Sequence, residues 1–207
     1  MHHHVRLRWL ERSLFAIGIL FFGLWFRNDS AARTFQSIES KKLEAAQLQS
    51  QPVGPPARRL SAKAWLPATL ESGVFGRIEI PRLGISALIA EGAGPEQLKR
   101  AVGHIKTTAF PGQPGNCALA GHRDSFLRGL GALCENDVIR IATLQGTYTY
   151  EVEWSTVVGP ERVDVLASTE GSCLTLVTCY PFRAVGPAPE RFVVRARLVE
   201  PMAWAAL

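Results

Sequence analysis

Short strand-like segments separated by turns fill most of the chain from residue 74 onward. They alternate in polarity or are rich in β-branched residues, and they span 76–80, 85–90, 116–120, 137–143, 147–158, 173–179 and 191–199. A turn is expected at 81–84, and one brief helix at 95–102 begins on Pro95. Many short strands with so little helix predict a mainly β domain whose sheet closes, or nearly closes, into a barrel.

The barrel is expected to occupy residues 74–207, a length that can build one hydrophobic core. Residues 51–72 contain scattered prolines and little periodicity, which is typical of a linker. Residues 31–49 predict a polar helix, with a cap at 28–30 and too few apolar residues to bury much surface. We therefore interpret 28–73 as a helical spacer followed by a Pro-rich linker.

The amino-terminal segment, 1–27, contains a short uncharged apolar run behind basic residues. The opening Met-His-His-His is typical of a tag and is left out of site reasoning. Arg6, Arg8 and Arg12 precede the apolar residues 14–26. This length suits a cleaved signal peptide, since a bilayer span needs about 20 residues, and a membrane anchor requires neighbouring residues to join the span. Both interpretations keep the amino end inside and predict an exported domain.

The charge of the chain indicates what kind of partner it meets. Its net charge of +5 suits an anionic membrane surface or cell-wall polymer. The basic residues are scattered and form no block with interleaved aromatics, so nucleic acid is not an expected partner.

The stretch TLVTCYPF, residues 175–182, places Cys179 at the last position of a strand, where Pro181 ends the ladder. A disulfide, core packing and catalysis each explain such a cysteine. Cys173 shares its strand face but lies too far along the strand to bond it. Packing is the favoured role of Cys117, Cys134 and Cys173. The cysteine spacings contain no C-x-x-C knuckle, and neither a metal nor a cofactor is expected.

A thiolate nucleophile needs a nearby base and a donor for the oxyanion that forms on attack. Outside the tag-like stretch the histidines are His104 and His122. His122 follows the end of a strand, as Cys179 does, whereas His104 is expected between a helix and a turn. Arg191 begins the strand after the Cys179 loop, and its guanidinium stays charged. The pattern favours a site built from Cys179, His122 and Arg191.

These motifs resemble those of the sortases, which are membrane-anchored cysteine transpeptidases. The resemblance rests on TLVTCYPF, on GPAPERFVVRA after it and on AGHRDSF upstream, and it is most similar to the class D branch over about residues 76–199. It implies an eight-stranded β-barrel and a catalytic trio of Cys179, His122 and Arg191. It also implies an uncleaved single-pass anchor, with the amino terminus in the cytoplasm and the catalytic domain outside the cell membrane.

The resemblance implies cleavage of an LPxTG-like sorting signal between Thr and Gly. In this scheme Cys179 forms a thioester, His122 protonates the departing amine and Arg191 steadies the oxyanion. An amine from a cell-wall precursor or a pilin lysine then takes the acyl group. Thr178 and Asp124 are also expected to help bind the substrate. The alternatives are that Thr178 positions the thiol or packs, and that Asp124 orients His122 or is an ordinary loop carboxylate.

Other interpretations stay open at the level of sequence. An L,D-transpeptidase expects a Ser-His-Gly-Cys neighbourhood and a papain-type protease a Cys-Gly-x-Cys-Trp stretch, and the chain contains neither. A membrane-anchored β-barrel binding module without turnover is an alternative of another class. Residues 66–69, Leu-Pro-Ala-Thr, spell the start of a sorting signal, and a lid that mimics substrate competes here with chance in a Pro/Ala-rich linker.

Overall fold

The computed structural model describes residues 2–50, 69–184 and 186–199. Two α-helices are present among them, α1 (His2–Ser50) and α2 (Pro95–Leu98). The eight strands are β1 (Val74–Ile80), β2 (Ile85–Glu91), β3 (Val102–His104), β4 (Gly115–Ala120), β5 (Val138–Thr143), β6 (Thr147–Val158), β7 (Ser172–Tyr180) and β8 (Glu190–Val199). Short 3-10 turns span Pro81–Leu83, Leu130–Ala132 and Val163–Leu166.

The strands close into a barrel in the order β1-β2-β3-β4-β7-β8-β6-β5. The pairs β2–β3 and β4–β7 are parallel, and the other neighbours are antiparallel. The predicted mainly β, closed barrel with short helices is therefore confirmed, and the eight strands implied by the resemblance are present. In the parts of the chain described above, no helix is both long and apolar enough to span a bilayer, and the anchor stays a prediction.

Alternation along the strands produces the core. In β7, Leu174 and Leu176 face the interior, and in β8 Phe192, Val194 and Ala196 do the same. Their odd-numbered neighbours lie on the outer face, because successive side chains of a strand point to opposite sides. This two-residue period is the signal that made the strands predictable.

The strand β3 was missed, and the placement predicted for His104 is wrong. His104 lies in β3, fully buried, and not between a helix and a turn. The helix α2 ends at Leu98, so it is shorter than predicted. With three residues, one of them Gly103, β3 is too short to show alternation. It is defined by its pairing with β2, where Glu91 lies opposite His104.

Helix α1 differs from the prediction in two respects. It is one continuous helix from His2 to Ser50, so residues 28–30 do not cap a separate helix. Asn, Asp and Ser cost only about 0.7 kcal/mol or less each inside a helix, which good helix formers on both sides offset. The carboxyl-terminal half also buries more than expected, because Leu43 is fully buried against the barrel together with Val74 and Leu88.

The Pro-rich linker lies largely outside the described residues. The structure does not describe residues 51–68, so only Thr69 of the 66–69 stretch is among the described residues. The lid hypothesis therefore falls outside the described residues.

Candidate active site

Two adjacent strands and the loop after a third carry the predicted catalytic residues: Cys179 lies in β7, Arg191 in β8 and His122 two residues beyond β4. The parallel pair β4–β7 runs from Gly115 opposite Ser172 to Ala120 opposite Val177. Partners in this pair are 57 residues apart in sequence. Thr178 and Gly121, one position beyond the end of β4, have the same separation and are joined by a hydrogen bond. His122 follows Gly121 directly, in the loop that begins where β4 ends at Ala120.

Arg191 lies beside Cys179 in the sheet. The two residues are direct partners in the antiparallel pair β7–β8. Neighbouring strands lie about 4.8 Å apart, so the backbones of Cys179 and Arg191 are adjacent. Both Cys179 and Arg191 lie on the outer face of the barrel, because Tyr180 and Phe192 beside them pack into the core.

Thr178 links the strand of the thiol to the loop of the imidazole. Its side chain is 2% exposed, and its Oγ1 donates a hydrogen bond to the carbonyl oxygen of Gly121 at 2.7 Å. The Gly121 N–H donates in turn to the carbonyl oxygen of Val177 at 3.1 Å. These bonds hold the residue before His122 beside the residue before Cys179. Direct contact between Thr178 and a substrate stays a prediction.

The loop that carries His122 packs tightly on the barrel at its first residue. A Cβ on Gly121 would lie 2.7 Å from Cγ of Leu127, so a glycine is needed there for Leu127 to pack underneath. Leu127 is fully buried in the core. His122 itself is exposed and can reach a bound substrate.

Asp124 shares a cavity with His122. The cavity has a volume of about 740 Å³ and lies between α1 and the barrel, with Gln36 of α1 and Ser125 of the His122 loop among its lining residues. Asp124 is exposed, and no hydrogen bond joins it to His122 in the described structure. Its orienting role stays a prediction.

Arg191 is held by the loop that precedes β8. Its Nη1 donates to the carbonyl oxygens of Ala188 at 3.1 Å and Glu190 at 2.9 Å. A guanidinium has five N–H donors in a fixed plane. Two bonds through Nη1 fix the side chain and leave the donors on Nε and Nη2 for an oxyanion or a substrate carbonyl.

All four cysteines are free thiols, so the disulfide interpretation finds no support in the structure. Cys117 and Cys173 are buried, and burial raises the pKa of Cys117, which keeps that thiol neutral. Cys134 is exposed, but Arg82 and Ala132 are the groups around its sulfur, with no histidine. Cys179 is half-buried at a strand end and has Arg191 as its strand partner.

His104 is excluded as the base of this site. It is fully buried, its Nδ1 lies 2.8 Å from Glu91 Oε2, and its Nε2 lies 3.0 Å from the carbonyl oxygen of Ala109. Both ring nitrogens are engaged with the protein interior. The ring therefore cannot reach a substrate.

Arg123 was missed by the sequence-based prediction. Its guanidinium bonds three backbone carbonyls in the loop between β7 and β8. The available signal was its place next to His122 in the motif AGHRDSF, but the partners lie about 60 residues away and only the fold shows them.

Comparison with known proteins shows the family of the chain. The sortase domain family matches residues 78–199. Sortase D of Bacillus subtilis is 32% identical over 173 residues, which cover 83% of this chain and 87% of the relative. The solved structure of a Clostridium perfringens sortase D5 transpeptidase has a TM-score of 0.62 at 29% identity, covering 79% of this chain and 99% of the other. Sortase C of Clostridium perfringens has a TM-score of 0.57 at 30% identity, covering 64% and 73%.

The chain belongs to the sortase family and is class D-like. It is therefore a transpeptidase of the sortase kind, a group that takes sorting-signal substrates and amine acceptors.

Proposed function

We propose that this protein cleaves an LPxTG-like sorting signal between Thr and Gly and transfers the acyl part to an amine through a thioester on Cys179. The observation that carries the proposal is the strand pairing of Cys179 with Arg191, together with the hydrogen bond that ties Thr178, before Cys179, to Gly121, before His122. It joins a thiol, an acid–base group and a permanent cation on one accessible surface.

In the first half-reaction, the Cys179 thiolate adds to the carbonyl carbon of the Thr–Gly bond. The carbonyl π electrons move to oxygen, and the free donors of Arg191 stabilise that oxyanion. When the intermediate collapses, the C–N bond breaks, and His122 in its protonated form gives its proton to the departing glycine nitrogen. The products are a thioester on Cys179 and a free amine.

In the second half-reaction, an acceptor amine attacks the thioester. His122, now neutral, accepts the proton that the amine loses, and Cys179 leaves as a thiolate. The new amide bond joins the sorted protein to the acceptor, and the enzyme returns to its starting state. We propose as acceptor an amine of a cell-wall precursor or a pilin lysine.

We also propose that residues 1–27 anchor the protein in the cell membrane, with the catalytic domain outside the cytoplasm. Arg8 and Arg12 flank a helix surface that exposes large apolar side chains, among them Phe15, Phe22 and Trp25. In intact cells the exposed Cys134 should react with a membrane-impermeant maleimide. Labelling of Cys134 only after lysis would contradict this orientation.

The proposed chemistry is tested by mixing the full-length chain in detergent with a panel of LPxTG-like peptides and excess triglycine. Intact-mass spectrometry should show an acyl adduct on the protein and an amine-exchanged peptide. The adduct should be absent from Cys179→Ala and present in Cys134→Ala, which removes the other thiol that is not buried. An adduct that persists in Cys179→Ala, or an unmodified wild-type chain with every peptide, would refute the proposal and favour the binding module.

A further inference from the structure

The side chain of Arg123 reaches from the loop after β4 to the loop between β7 and β8. Its Nη1 donates to the carbonyl oxygen of Pro181 at 2.8 Å. Its Nη2 donates to the carbonyl oxygens of Ala184 at 2.8 Å and Gly186 at 2.9 Å. Three carbonyls of one short loop therefore converge on a single guanidinium.

The two loops joined in this way carry the three groups of the proposed reaction. Arg123 follows His122 directly, and the loop that it binds lies between Cys179 and Arg191. We propose that Arg123 is a positioning residue, which holds His122 in place relative to Cys179 and Arg191. This inference rests on the proposed function and adds a residue to its site.

His122 depends on such an anchor because the bond from Thr178 to Gly121 holds only the backbone before it. The side chain is exposed, and within the described part of the chain its ring makes no hydrogen bond. Its own carbonyl accepts only long bonds, from Ser125 at 3.5 Å and Leu127 at 3.3 Å. The three bonds of its neighbour Arg123 are shorter and involve a charged donor, a combination that makes a stronger hydrogen bond.

An arginine suits this position for two reasons. Three carbonyl oxygens that point at one place repel each other, and a positive charge between them offsets that repulsion. The planar guanidinium also presents donors on separate nitrogens, whereas lysine offers one nitrogen on a flexible stem. Arg123→Lys therefore keeps the charge and loses the geometry.

Loss of this anchor should affect the chemical step more than substrate binding. A general acid must come within about 2.6–3.2 Å of the nitrogen it protonates. A shift of about 1 Å in such a group can cost about 100-fold in rate. The peptide itself is not expected to contact Arg123, whose Nη1 and Nη2 are bonded to the loop.

The test uses the full-length chain in detergent and a fluorogenic LPxTG-like peptide, with kcat and KM measured for Arg123→Ala and Arg123→Lys. We expect kcat to fall about 10- to 100-fold in both variants, with little change in KM. Arg128→Ala is the matched control, since Arg128 is an exposed arginine in the same loop, and it should keep the wild-type kcat. Millimolar methylguanidinium should restore part of the activity of Arg123→Ala.

Each result decides the matter. If the Arg123 variants fold and have the same kcat as Arg128→Ala, the inference is overturned. It is also overturned if neither variant folds, because Arg123 is then merely structural. If only Arg123→Ala fails to fold, kcat of Arg123→Lys decides in the same way. An inactive wild-type chain contradicts the proposed function instead. In that case hydrogen exchange of the backbone amides of residues 182–184 tests the anchor separately. Faster exchange in Arg123→Lys than in the wild type supports the anchor, and unchanged exchange overturns it.

Discussion

At the scale of single residues, the two histidines have separate roles. The carbonyl of Ala109 can only accept, so Nε2 of His104 carries a hydrogen and donates to it. We expect His104→Leu to lower the free energy of unfolding by about 1–3 kcal/mol, because it leaves buried polar partners unpaired. Urea denaturation measures this loss. His122→Leu should instead abolish acylation at unchanged stability, and the reverse pattern would contradict the assignment of the base.

Thr178 offers a second prediction at this scale. Thr178→Val keeps the shape of the side chain but removes its hydrogen bond to Gly121, which costs about 1–3 kcal/mol for a buried carbonyl left unpaired. The rate of acyl-enzyme formation should fall as well, since the bond sets the register between His122 and Cys179. Thr178→Ser retains the hydroxyl and is the control. Equal stability and rate in Thr178→Val and the wild type would show that the bond does not position the site.

At the scale of elements, helix α1 belongs to the barrel's packing. Leu43 is buried to 99% between the helix and the sheet, and Leu48 on the same helix is 74% exposed. Leu43→Ala should therefore lower the free energy of unfolding by about 2–5 kcal/mol. Leu48→Ala should change it by about 0.5 kcal/mol or less. Equal effects in thermal or urea unfolding would mean that α1 does not dock on the barrel.

The same helix should respond to acid through Glu39. Burial by itself would raise the pKa of this carboxyl, but hydrogen bonds from Lys42 and Ser72 outweigh burial and hold the pKa below its ordinary value of 4.5. A lowered pKa in the folded state means that Glu39 contributes its full stability above 4.5 and loses it as the pH falls further. The urea midpoint should therefore decrease below that pH, and less so in Glu39→Gln. An identical decrease in both proteins would contradict the role of Glu39.

At the scale of the whole molecule, the barrel separates accessible thiols from buried ones. Cys134 is exposed and Cys179 is half-buried, whereas Cys117 and Cys173 are buried. A thiol reagent should modify the first two in the native protein and the last two only after unfolding, because burial also raises the pKa of Cys117. Rapid native modification of Cys117 would show that the barrel is open there.

The strands that could be predicted are those with a local pattern. The bounds of β6 agree with the prediction, 147–158, because its first eight residues alternate, β-branched residues follow and a glycine turn precedes them. The three residues of β3 show none, and their strand is defined only by its pairing with β2 and β4. The burial of Leu43 was also unpredictable, since the helix meets its apolar partners only in the folded chain.

By itself, the sequence determined which chemistry the site can perform. It placed a thiol and an imidazole at the ends of strands and an arginine at the start of another, because strand ends follow from alternation and from Gly and Pro. Only the tertiary structure decided that Cys179 pairs with Arg191 and that Gly121, the residue before His122, bonds Thr178. Paired residues of β4 and β7 are about 57 residues apart in sequence, and β7 and β8 are separated by a loop. The hydrogen bonds of Arg123 join the loop after β4 to the loop after β7. Such contacts depend on barrel closure, and barrel closure is a property of all eight strands together.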